Sequence, residues 1–95
     1  MSLKLIEQIE SPSIKEIAKY LFDKGTAITF FGKAWGGCTN NWIYFDTYLD
    51  IEKLRTEFNL SPHLELHENL DPKSGMERGF IDTTTGEAIM GKVKQ

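Results

Sequence analysis

The chain has 95 residues, a formal net charge of −3 and a single cysteine, Cys38. That length makes one domain over residues 1–95 with one modest core. The lone cysteine excludes an internal disulfide and suits a reducing cytoplasm, and no run reaches the roughly 18 apolar residues of a membrane span. Charge runs 0, −1 and −2 over residues 1–30, 31–60 and 61–95, so no third offers the clustered basic surface that a phosphate backbone requires. Met1-Ser2-Leu3-Lys4 leads into a segment with Glu7 and Glu10 and has no signal-peptide pattern. The expectation is a cytoplasmic protein with no membrane partner and no nucleic acid.

In chain order, Leu5, Ile6 and Ile9 fit a short helix over residues 3–10. A clearer helix is predicted over 12–24. Ser11 can cap it, Pro12 occupies a first position that needs no N–H, and Ile14, Ile17, Ala18, Leu21 and Phe22 form a 3.6-residue stripe. Gly25 stops it. Residues 26–31 are β-branched and aromatic and read as a strand. A glycine-bearing loop follows from Gly32 to Asn40.

The next predicted strand, 41–49, turns Ile43, Phe45 and Leu49 to one side and Trp42, Tyr44, Asp46 and Tyr48 to the other. Asp50 can cap a short helix over 51–58, with Asn59 and Pro62 ending it. A strand over 63–68 is followed by the turn Asp71-Pro72-Lys73-Ser74-Gly75. Strands over 76–82 and 87–91 form a hairpin around Thr84-Thr85-Gly86. This string predicts an α+β fold: one mostly antiparallel sheet of four or five strands, with N-terminal helices and one short inserted helix packed on one face. The 50–61 connection is also compatible with a crossover between parallel strands.

The densest chemistry lies in Pro62-His63-Leu64-Glu65-Leu66-His67-Glu68. On a strand, His63, Glu65 and His67 share one face. Neighbours on that face stand about 6.6 Å apart and His63 and His67 about 13 Å apart, so one adjacent pair can share a metal ion and all three cannot. Asp46, if its strand is adjacent, is the best further ligand, and Cys38 the next. The competing reading is the wet face of an ordinary antiparallel strand, and it carries more weight.

Cys38, with His67 or His63 as base, is a candidate nucleophile, but a strand follows it where a helix N-terminus would lower its pKa. The stretch Gly32-Lys33-Ala34-Trp35-Gly36-Gly37 lacks phosphate-loop spacing, so no nucleotide or other cofactor is implied. Trp35, Trp42 and Tyr44 suit an interface or a pocket wall. Arg78 is a candidate anion anchor, or the partner of Asp46 or Glu65; a surface ion pair is the simpler role.

No motif specifies a reaction. The leading expectation is a non-enzymatic protein-interaction or self-association module, with a homodimer and an acidic binder of a basic partner as forms of it. One alternative is a small metal-dependent or Cys/His hydrolase-like enzyme using His63, Glu65, His67, Asp46 and Cys38. The other is a small-ligand module walled by Trp35, Trp42 and Tyr44 and anchored by Arg78 or Lys33.

Overall fold

A computed structural model of the chain describes residues 3–33, 40–73 and 75–93. Its elements are α1 (Leu3–Glu7), α2 (Pro12–Asp23), β1 (Ile28–Lys33), β2 (Asn41–Tyr48), α3 (Ile51–Glu57), β3 (Leu64–Asn69), β4 (Glu77–Asp82) and β5 (Glu87–Lys92). They make the expected α+β arrangement. The five strands form one sheet in the order β1-β2-β5-β4-β3, in which β2 and β5 are parallel and every other neighbouring pair is antiparallel.

Local chemistry accounts for the elements. Ser11 caps α2, its side chain accepting from the Ile14 N–H, and Pro12 starts the helix. Gly25 follows with φ +85°, a left-handed conformation that side chains resist. Asp50 caps α3 by accepting from the Lys53 N–H at 3.2 Å. The first strand begins two residues later than expected because the Thr26 N–H closes the end of α2 on the Leu21 carbonyl. It runs on through Gly32 and Lys33, which pair with Trp42 and Asn41. The first helix stops early, and the Glu10 N–H turns to the Glu87 carboxylate.

The crossover alternative is realised in part. The 50–61 connection, with α3, carries the chain from β2 to the far edge of the sheet. There β3 runs in the same direction as β2 without touching it.

The helices cover one face. Ile14, Ile17 and Leu21 of α2 and Ile51 and Leu54 of α3 share one core with Ile43, Phe45, Ile89 and Phe80 of the sheet. Each fully buried Ile or Phe in such a core contributes about 1.5–3 kcal/mol. At one end of this layer lie two buried carboxylates, Glu87 at 0% exposure and Asp82 at 3%.

Glu87 accepts from the N–H groups of Glu10 and Ser11 and from Asn41 Nδ2. Asp82 accepts from Ser11 Oγ at 2.5 Å and from the Thr84 N–H and hydroxyl. The pair fastens the N-terminus of α2 to the β4–β5 hairpin, where the helix dipole favours negative charge. Among the described residues no helix is long and apolar enough to cross a membrane.

Candidate functional site

The opposite face of the sheet has no described helix over it. Strand alternation sends Trp42, Tyr44 and Asp46 there while Ile43 and Phe45 enter the core. The registers extend that face across the whole sheet. Phe30, Tyr44, Met90, Gly79 and His67 form one row, one residue from each strand. Gly32, Trp42, Ala88, Ile81 and Glu65 form the next.

The rings connect along these rows. Phe30 meets Tyr44 edge-on at 5.9 Å between centroids, and Tyr44 lies stacked with Trp42 at 6.3 Å and 18°. His67 meets the Trp42 ring at 5.9 Å and 88°. Gly79 packs against the backbone of β5. It lies between His67 and Met90 in the row, and a Cβ there would stand 1.8 Å from the Ile89 carbonyl oxygen. Met90 and Ala88 are fully buried although no described helix lies over them. Phe30, at the end of the row, is 49% exposed.

The border of this face is mostly acidic. Glu77 Oε1 is 3.6 Å from His67 Nε2, and burial pushes the Glu77 carboxyl above its ordinary range. Asp46 is paired with Lys92, and Glu65 is exposed at the sheet edge. The indole Nε1 of Trp42 is buried and finds no acceptor among the described residues.

The expected site residues separate into groups. Glu65, His67, Trp42 and Tyr44 share the uncovered face, and His63 precedes β3 as an exposed residue. Asp46 shares that face, but β2 and β3 are not neighbours: β5 and β4 lie between them. The nearest cation to Asp46 is Lys92, which draws it away from the histidines. Among the described residues no three His, Cys, Asp or Glu side chains gather where one metal ion could be held.

Arg78 is on the helix-covered face beside Phe80, so it does not reach the Trp42–Tyr44 surface. Its Nε lies 3.8 Å from Glu68 Oε2, and Glu68 takes the place offered to Asp46 or Glu65. Lys33 donates to Asn40 Oδ1 at 3.0 Å. Trp35 and Cys38 lie outside the described residues. A shallow groove of about 150 Å³ lies elsewhere, between the end of α2 and the start of α3, lined by Tyr20, Lys24, Tyr48 and Lys53.

Phe30, Glu77, Gly79 and Met90 escaped sequence reasoning as members of this surface. Gly79, a glycine inside a strand pattern, was the available signal for a close approach. Compared with protein-family models, curated proteins and solved structures, the chain gives no match.

Proposed function

We propose that the chain is a non-enzymatic interaction module that binds a basic protein partner through the uncovered face of its sheet. The row of rings from Phe30 to His67 carries this reading. Aromatic side chains on a rigid sheet offer large contact area with little rotamer entropy to lose, and Trp and Tyr are the residue types that dominate binding hot spots.

Charge complementarity selects the partner. Asp46, Glu65 and Glu77 border the rings, with Lys92 as the cation among them, and the whole chain carries −3. An arginine or lysine from a partner would meet carboxylates at the border and ring faces within it, an arrangement that favours cations. The desolvated Glu77 carboxylate gains most from such a neighbour, since a cation relieves the penalty that burial imposes. Nucleic acid is disfavoured for the same reason.

The test is capture from the native lysate with wild-type protein and with the Phe30→Ala and Tyr44→Ala variants, partners being identified by mass spectrometry. The expected result is a protein with a basic surface, retained at low salt, released as salt rises and lost with either variant. Capture of nothing, capture of an acidic protein, or capture indifferent to both substitutions overturns the reading.

A further inference from the structure

The groove between the end of α2 and the start of α3 is separate from the aromatic face. It offers about 150 Å³. An engineered closed cavity of about that volume holds one benzene ring. The floor is apolar: Leu21, Leu49 and Leu54 line it and are themselves buried.

The walls carry two cations. Lys24, the residue that ends α2, and Lys53, in the first turn of α3, both line the groove. The Lys24 ammonium lies over the Tyr20 ring, 4.5 Å from its centroid, and Phe58 braces that ring edge-on at 5.2 Å. This ammonium is therefore held at the groove before any ligand arrives. Among the described residues neither lysine forms an ion pair, whereas Asp46 takes Lys92.

One carboxylate, Asp50, is among the lining residues, and it already accepts from the Lys53 N–H as the cap of α3. Glu57 is the other acid that acts on Lys24, and it lies outside the groove.

We propose that this groove binds a small monocarboxylate with an apolar body the size of one ring. The body rests on the three leucines, and the carboxylate is drawn to Lys24 and Lys53. Volume limits the body to one ring, the leucines require it to be apolar, and the two unpaired ammonium groups favour an anion. A cationic ligand would find only the Asp50 carboxylate, which α3 already engages. The site is independent of the face proposed for the basic partner.

The experiment is titration of the isotope-labelled chain with benzoate at low salt, followed by amide NMR shifts. Saturable shifts centred on residues 24–26 and 50–54 are expected, with a dissociation constant on the order of 1 mM, ordinary for a ligand of this size. Lys24→Gln and Lys53→Gln should each weaken binding about threefold, the scale of an exposed ion pair, and the double variant about tenfold. Both lysines are exposed, so the fold should survive, and circular dichroism checks it. Lys19→Gln, at an exposed position of α2 outside the groove, should leave binding unchanged.

Three further probes divide the recognition. Benzamide keeps the ring without the charge, acetate keeps the charge without the ring, and benzylammonium reverses the charge. All three should bind more weakly than benzoate. Absence of saturation, shifts centred elsewhere, any of the three binding as well as benzoate, or indifference to the double lysine substitution overturns the proposal.

Discussion

His67 stands edge-on to Trp42 at 5.9 Å between ring centroids, although β5 and β4 separate their strands in the sheet. The two rings meet across the intervening strands, and the row between them passes through Gly79, which has no side chain. The contact joins the segment that carries both histidines to the aromatic strand, and it makes one surface of what reads in the sequence as two candidate sites.

Gly79 is the position where that surface is most sensitive. Any side chain there must displace the Ile89 backbone, since a Cβ would stand 1.8 Å from its carbonyl oxygen. Gly79→Ala should therefore destabilise the fold by about 1–3 kcal/mol in denaturant unfolding, the range for overpacking. In a Trp35→Phe background it should also shift Trp42 emission as the His67 contact opens.

The Glu87 carboxylate holds the N-terminus of α2. Glu87→Ala leaves the Glu10 and Ser11 N–H groups without this acceptor in a buried setting, and leaves Asn41 Nδ2 with only the Gln8 carbonyl. A loss of about 2–4 kcal/mol is expected, because stranded buried donors bear the desolvation penalty. Chemical denaturation measures it. A surface substitution such as Asp46→Ala, which breaks an exposed pair with Lys92, should cost less than about 1 kcal/mol in the same assay.

Acid should unfold the protein in part through Asp82. Burial acts to raise its pKa, but hydrogen bonds from Ser11, Thr84 and the Thr84 and Thr85 backbone outweigh burial and hold it below the ordinary aspartate value. A depressed carboxyl contributes stability that is present above its unfolded pKa and is lost as pH falls through the folded one. Asp82→Asn should lower stability at neutral pH and flatten the decline below about pH 4, the ordinary carboxylate range. Melting temperature against pH shows both effects.

Glu77 has the opposite sign. Its carboxyl is raised by burial, so its favourable contribution is present below the unfolded pKa and lost as pH rises through the folded one. Glu77→Gln should therefore match or exceed wild-type stability at pH 7. That advantage should vanish below about pH 4, where both side chains are neutral. A wild-type protein more stable than Glu77→Gln at pH 7 would mean that the His67 contact outweighs the desolvation.

Much of the fold is legible because it is local. Ser11-Pro12 with the Ile14, Ile17, Ala18 and Leu21 stripe specifies α2, Asp50 starts α3, and alternation sorts Ile43 and Phe45 from Trp42 and Tyr44. These features act within a turn of helix or along one strand, where each side chain's direction follows from its place in the repeat. The site was legible only in pieces. His67 and Glu65 stood out by residue type and Trp42 and Tyr44 by size, whereas Asp82 and Glu87 read as ends of a hairpin and prove to be buried acceptors.

By itself, then, the sequence determined the α+β class, the elements and the two faces of β2, all of them consequences of short-range periodicity. Only the tertiary structure decided that β3 goes to the far edge, that Asp46 meets Lys92 and Arg78 meets Glu68, and that His67 reaches Trp42. Strand order depends on which edges meet after the chain has crossed the sheet, and that outcome rests on packing across long sequence separations that no local pattern records.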